Sequence, residues 1–173
     1  MPIRAQFRHT NLIARNMDRL VAFYKDVFGF EEAGPERTRS GDWLDRHTGL
    51  KDVELRVLHL RLPDAGEQGT ELEIIAYNKS VPGKRPELNR FGFAHICFGV
   101  ENVQEAYAAV LAAGGSHLAE IITKSTPSGG TATAVYVRDP EGNSLELSDK
   151  HCEPVSQLRG YSPQSPLHWG PFR

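Results

Sequence analysis

Two stretches that repeat one another decide the fold: HTNLIARNMDRLVAFYKDVFGF (residues 9–30) and HICFGVENVQEAYAAVLAAGGS (residues 95–116). They align without a gap at a constant offset of 86 residues, with His9 opposite His95. Each begins with a short alternating segment and continues with apolar residues at helical spacing. Each stretch therefore predicts a strand followed by an amphipathic helix.

Residues suited to helix ends flank both predicted helices. Asn16 and Asn102 precede the apolar stripes, and a short side-chain oxygen there can accept bonds from the first free backbone N–H groups. Gly29 and Gly115 follow the stripes, where a helix commonly ends in a left-handed residue. The pattern predicts the same strand, capped helix and glycine stop in both halves.

The two halves also finish alike, in TELEIIAY (residues 70–77) and NSLELSDK (residues 143–150), which place Glu73 opposite Glu146. This second offset is 73 residues, so the first half carries 13 more residues before its last strand. We assign the surplus to RTRSGDWLDRHTGLKD (residues 37–52), an insertion with its own short helical turn. Its Trp43 and His47 either form a lid or substrate wall, or belong to surface elaboration.

Each half has room for two more strands, so the sequence predicts an α+β fold of two tandem βαβββ modules. One domain covers residues 1–150, with modules at about 7–77 and 91–149. The stretch at 78–90 is polar, contains two prolines and reads as a linker. Residues 151–173 form an irregular tail, whose aromatic residues either anchor to the body or to a second subunit, or belong to a partly disordered segment.

Composition narrows the class of protein. With 173 residues and a formal net charge of -2, the chain suits one compact unit with no general attraction to nucleic acid or anionic lipid. No apolar run is long enough to span a bilayer, and MPIRAQFRHTN lacks the apolar stretch of a secretion signal. We expect a cytoplasmic protein whose two cysteines, Cys97 and Cys152, are free thiols.

Histidine and glutamate recur in register, which calls for a common explanation. If the modules pack about a pseudo-twofold axis, His9, Glu73, His95 and Glu146 can converge on one point. Two imidazoles and two carboxylates suit one divalent first-row metal and leave coordination sites for water or substrate oxygens. The alternative is that both glutamates lie on a wet outer face of the sheet.

Three features together resemble the vicinal oxygen chelate superfamily: the H-x6-N pattern that opens each half, FYKDVFGF in the first helix, and VRDPEGNSLEL (residues 137–147) at the end of the second module. It includes glyoxalase I, methylmalonyl-CoA epimerase, extradiol dioxygenases and drug-resistance proteins. The resemblance spans about residues 7–149. It implies paired modules that curl an eight-stranded sheet around a metal cleft, with ligands at His9, Glu73, His95 and Glu146.

The resemblance also implies a chemistry. A divalent ion (Ni, Co, Zn, Fe or Mn) chelates adjacent oxygens of a small-molecule substrate and stabilises an enediolate after a proton is removed next to a carbonyl. A fourth protein ligand, Glu73, favours a lyase like lactoylglutathione lyase or an epimerase-like isomerase. Glu146 is then the general base and a ligand, and Glu73 a ligand and alternate base. An extradiol-type iron dioxygenase and a non-catalytic small-molecule binder remain the alternatives.

Several assignments stay open at the level of sequence. His59 shares the parity of Leu55 and Val57, so it either faces the cleft or is a packed, hydrogen-bonded residue. Cys97 shares the parity of His95, and inert burial is the favoured interpretation. The superfamily often pairs modules between chains, which allows a homodimer, but the same cleft can form within one chain.

Overall fold

The computed structural model describes residues 2–67, 69–127 and 129–149, and all structural statements refer to these. The first module comprises β1 (His9–Ile13), α1 (Met17–Phe28), β2 (Glu31–Glu32), β3 (Arg37–Ser40), α2 (Asp42–Thr48), β4 (Glu54–Arg61), a 3-10 turn (Pro63–Ala65) and β5 (Glu71–Tyr77). The second comprises β6 (Ile96–Gly99), α3 (Val103–Ala112), β7 (Ser116–His117), β8 (Ile122–Ser125), β9 (Thr131–Arg138) and β10 (Ser144–Ser148). The predicted tandem βαβββ modules are confirmed.

Each module forms its own five-stranded sheet. The strand order is β1-β5-β4-β2 in the first and β6-β10-β9-β7 in the second, with β3 also on β4 and β8 also on β9. The first and last strands of each module pair in parallel, and the other pairs are antiparallel. The eight predicted strands therefore become ten, because each edge strand is divided in two. In the first module Pro35, which has no N–H to donate, lies in the break.

The ends of α1 follow the prediction. The Asn16 side chain accepts a bond from the Arg19 N–H at 3.0 Å, which supplies the N-cap. Gly29 ends the helix in the left-handed region at φ 70°, where its N–H donates to the carbonyl of Lys25.

The end of α3 differs from the prediction. Asn102 caps its start by accepting from the N–H groups of Gln104 and Glu105, as expected. The left-handed residue at its end is Gly114, at φ 86°, and not Gly115. Gly115 is required for another reason, because a Cβ there would lie 2.5 Å from the carbonyl oxygen of Arg138. A close backbone approach and a helix stop both demand glycine, so sequence alone could not separate them.

The inserted segment lies between β3 and β4, and its predicted helical turn is α2. In the second module, the described residues between β8 and β9 include no helix. The carboxylate of Asp45 in α2 accepts from the N–H groups of Asp52 and Val53 at 2.8 and 2.9 Å. Leu44 packs with Leu55 and other residues of β4 and β5 in a small separate cluster. The insertion is therefore fixed on the face of the first sheet.

One core joins the two modules. One face of each sheet packs against α1 and α3, and the strands contribute fully buried residues such as Leu60 and Ile74 from the first sheet and Val137 and Leu145 from the second. Because strand side chains alternate, the residues between them point to the opposite faces, away from this core. Those outward faces carry the candidate site residues.

The turn between β9 and β10 locks the second module to α1. Asp139, only 2% exposed, accepts from the Tyr24 hydroxyl at 3.0 Å and from the N–H of Asn143. Burial raises the pKa of Asp139 and, more strongly, that of Tyr24. Glu141 accepts from the N–H of Asn16 at 2.7 Å, at the N-terminus of α1. A loop of one module therefore caps the helix of the other.

Residues 78–90 form no helix or strand, as expected of a linker. The domain boundaries stay a prediction, and the predicted irregular tail at 151–173, with Cys152, lies outside the described residues. Within the described residues, no helix combines the length and the apolar character needed to cross a membrane.

Candidate active site

The first histidine–glutamate pair lies on the outward face of the first sheet, where β1 and β5 run in parallel. His9 Nε2 is 3.5 Å from Glu73 Oε2. The amide of Asn11, two residues along β1, donates to the same carboxylate oxygen at 2.9 Å. The two strands therefore aim an imidazole and a carboxylate at one point.

A second layer of polar groups supports Glu73. His59, opposite Glu73 across β4 and β5, places Nε2 3.2 Å from Glu73 Oε1 and Nδ1 2.8 Å from Glu71 Oε2. Glu71 also accepts a bond from Arg61. That bond, together with the attraction of His59, holds the pKa of Glu71 below its ordinary value. His59 thus faces the cleft and is also hydrogen-bonded, so both interpretations from sequence apply.

The second pair repeats this arrangement on the outward face of the second sheet. His95 Nε2 is 3.0 Å from Glu146 Oε2, and the Tyr136 hydroxyl donates to the same oxygen at 3.0 Å. Burial, and then the hydrogen bond to Glu146, raises the pKa of Tyr136. The predicted strand around His95 is shorter than its sequence suggested, since His95 lies just before β6. Cys97 is exposed, so the expectation of inert burial was wrong.

The glutamates are largely covered on these outward faces. The side chains of Glu73 and Glu146 are 16% and 23% exposed, against 44% for His9. Glu146 lies between Leu145 and Leu147, which are both fully buried on the core side. The two carboxylates are therefore partly covered and do not lie on freely solvated strands.

The structure thus brings His9 to Glu73 and His95 to Glu146. Across residues 2–67, 69–127 and 129–149, no group of three or more histidine, cysteine, aspartate or glutamate side chains is arranged to hold a metal ion. The convergence of all four residues on one ion stays a prediction.

Three residues of these clefts escaped the sequence analysis. Asn11 and Tyr136 contact the glutamates, and Arg39 lines the cavity next to the first pair. Parity places Asn11 with His9, which is a usable signal. The contacts of Tyr136 and Arg39 depend on which strands lie side by side, and periodicity carries no information on that.

The insertion forms a wall of the first cleft. A cavity of about 530 Å³ opens between α2 and the first sheet, and Trp43 and His47 line it together with His9 and Glu73. The segment therefore lines a cavity, and its role as a substrate wall stays a prediction.

Paired βαβββ modules, each with a histidine–glutamate pair on its outward face, define the class of protein. The chain belongs to the Glyoxalase/Bleomycin resistance protein/Dioxygenase superfamily, whose sequence profile matches residues 6–147.

Two curated relatives and a solved structure are consistent with this family assignment. The chain is 27% identical over 143 residues to the lactoylglutathione lyase of Haemophilus influenzae, covering 82% of this chain and 90% of that protein. It is 29% identical over 140 residues to a probable lactoylglutathione lyase of Vibrio parahaemolyticus, covering 80% and 86%. A crystal structure of a glyoxalase family protein from Bacillus cereus shares the fold, with a TM-score of 0.72 at 19% identity and coverage of 86% and 97%.

Proposed function

We propose that the protein is a metal-dependent lyase or isomerase that abstracts a proton next to a carbonyl group in a small molecule with adjacent oxygens. The observation that carries this proposal is the same histidine–glutamate pair on equivalent faces of two modules. The two relatives named for lactoylglutathione lyase activity support it. We place the activity in the cytoplasm, as expected from the sequence.

The donor set fits a divalent first-row metal. His9, Glu73, His95 and Glu146 offer two imidazole nitrogens and two carboxylates, a combination that Ni, Co, Zn, Fe or Mn accepts. Such an ion, when bound, supplies positive charge that stabilises developing negative charge on substrate oxygens.

The geometry favours a centre shared by two copies of the chain. Each outward face carries one pair, and the common core lies between the two faces. A twofold dimer that sets the first-module face of one copy against the second-module face of the other unites four ligands, twice per dimer. We therefore include a homodimer in the proposal.

The surroundings of the two glutamates favour Glu146 as the general base. Glu73 is held by Asn11 and lies within 3.5 Å of both His9 and His59. Within the part of the chain that the structure describes, the hydrogen bonds and ion pairs of the Glu146 carboxylate are with His95 and Tyr136. A carboxylate with fewer partners can more easily move between a ligand position and a substrate proton. Glu73 is then a ligand, and the alternate base.

The decisive experiment separates the two pairs. One variant carries His9→Ala and Glu73→Ala, and the other carries His95→Ala and Glu146→Ala. Elemental analysis should find about one metal per chain in the unaltered protein and none in either variant alone. When the two variants are co-expressed and the mixed dimer is isolated, a centre shared between copies restores one metal per dimer.

Each outcome has a definite meaning. Metal in neither the single variants nor the mixed dimer, with metal in the parent, places the centre within one chain. A parent protein with no affinity for any of the five metals contradicts the proposal and favours the non-catalytic binder. Oxygen uptake with catechols under Fe(II), absent with Zn or Ni, indicates the dioxygenase.

A further inference from the structure

The cavity between α2 and the first sheet is large enough to hold the body of a small molecule in addition to the groups next to His9 and Glu73. Its volume of about 530 Å³ lies within the range of small-molecule sites, and it extends from His9 and Glu73 along the first sheet. Among the described residues of the second module, no helix lies between β8 and β9 as α2 lies between β3 and β4. This cavity is therefore a property of one module.

The walls of the cavity are mainly apolar. Leu55, Val57 and Ile75 form the floor on β4 and β5, and Trp43 stands opposite on α2 with half of its surface exposed. A 48% exposed tryptophan on a helix that is otherwise anchored represents apolar surface available to a ligand. Such a lining suits an aryl or branched alkyl group and offers little to a chain of peptide bonds.

One positive charge in this cavity is available. Arg39 lies 6.0 Å from the centre of the Trp43 ring and forms no salt bridge among the described residues. Of the other arginines on β3 and β4, Arg56 binds Glu36 and Asp18, Arg61 binds Glu71, and Arg37 does not line the cavity. A guanidinium without an acidic partner in an apolar cavity favours a carboxylate ligand.

The strand register separates this charge from the histidine–glutamate pair. Arg39 is opposite Leu55, which is opposite Tyr77 at the end of β5. Tyr77 is four residues beyond Glu73, or about 13 Å along the strand. A carboxylate at Arg39 is therefore distinct from oxygens placed at His9 and Glu73, and the apolar floor lies between the two.

We infer that the cavity binds a single-carboxylate compound with an aryl or branched alkyl body, its carboxylate on Arg39 and its body between Trp43 and the sheet. The placement of adjacent substrate oxygens at His9 and Glu73 rests on the proposed function. The binding of the carboxylate to Arg39 and of the apolar body beside Trp43 does not. Glutathione, with two carboxylates, an ammonium group and two amides, matches this lining poorly. The inference therefore names a substrate class other than glutathione conjugates.

The test uses Trp43 as the reporter. Trp43 and Trp169 are the two tryptophans of the chain, so Trp169→Phe in the full-length protein leaves Trp43 alone. In buffer with EDTA, 4-phenylbutyrate should change its fluorescence saturably and bind about tenfold more tightly than 4-phenylbutyramide, because only the acid can pair with Arg39. Arg39→Gln should reduce affinity for the acid to that of the amide, and Arg39→Lys should recover part of it.

Arg46→Gln is the matched control, since Arg46 is an exposed arginine of α2 that does not line the cavity. It should leave both affinities unchanged. Equal binding of acid and amide, no saturable binding, or tighter binding of S-hexylglutathione than of phenylbutyrate overturns the inference. Because EDTA removes metal, failure of the metal proposal leaves this titration unaffected, and the two failures are distinguishable.

Discussion

The two modules carry the same pair of side chains on the same face of the same fold, but the surroundings of the pairs differ. Around Glu73 the first module assembles Asn11, His59 and the roof formed by α2. Around Glu146 the second module supplies Tyr136, and its described residues include no helix equivalent to α2. The two modules thus share a backbone plan and differ in the contacts around their glutamates.

The difference suggests how duplication serves a reaction. A ligand must stay in place and is best held by several partners, whereas a base must exchange a proton and needs freedom. The first module has the partners and the ligand cavity, and the second has the freer carboxylate.

Substitution of each glutamate by glutamine should have the largest effect and should distinguish the roles of Glu146 and Glu73. We expect Glu146→Gln to slow exchange of the α-hydrogen of an aryl α-hydroxyketone with deuterated solvent by about a thousandfold, because a general base is lost. Glu73→Gln should mainly lower metal content and leave more of the exchange rate at saturating metal. Proton NMR and elemental analysis measure the two quantities. A larger loss of exchange in Glu73→Gln would reverse the assignment.

The turns that precede the last strands should differ in their effect on stability. Asp139→Ala leaves the buried hydroxyl of Tyr24 and the N–H groups of Glu141 and Asn143 without their acceptor. We expect a loss of about 3 kcal/mol in the free energy of unfolding, measured with urea. The control, Asp64→Ala in the exposed turn before β5, should change it by less than about 0.5 kcal/mol. Similar losses in both variants would show that the contact between modules is not special.

The contribution of His59 to the first histidine–glutamate pair should be measurable as a change in metal affinity. His59→Ala removes a group that lies 3.2 Å from Glu73, and we expect affinity to fall about tenfold. His59→Gln should recover part of the loss, because it can still contact the carboxylate. His117→Ala, in an exposed histidine of the second module, serves as the control. Isothermal titration with Ni or Zn measures all three, and an unchanged affinity in His59→Ala would remove His59 from the supporting layer.

The caps of the two long helices should respond differently to acid. Burial acts to raise the pKa of Glu141, but bonds from Asn16 and Arg15 outweigh it and the pKa lies below its ordinary value. A lowered pKa means that the carboxylate stabilises the fold above the unfolded-state pKa of about 4.3, and that this is lost as pH falls through the folded pKa. Glu141→Gln should therefore cost about 1 kcal/mol at pH 7 and progressively less below pH 4.

Glu101→Gln provides the comparison for the second module. Glu101 is exposed and precedes α3, whose N-cap Asn102 is bonded within its own helix to Glu105. This variant should show little change at any pH in urea unfolding. An acid dependence equal to that of Glu141→Gln would mean that general charge, and not the cap between modules, is responsible.

Much of the fold was predictable because local rules dominate it. The caps at Asn16 and Asn102, the glycine stop at Gly29 and the last strands of each module all follow from residues near in sequence. The prediction that Gly115 ends α3 was wrong because this glycine is required by the close approach of the Arg138 carbonyl, which is a tertiary contact. The division of the edge strands was also missed, since pairing with a longer neighbour decides where a strand is interrupted.

Two related modules, each with a histidine and a glutamate on the face away from its core, could be predicted from the order of residues alone. Alternation along a strand suffices for that, because it depends on the chain's own geometry. The contacts of His59 and Tyr136 with the glutamates, the position of α2 beside the first cleft, and the place of Arg39 in an apolar cavity became visible in the folded structure. Neighbours across strands depend on sheet order and register, which distant parts of the chain set together.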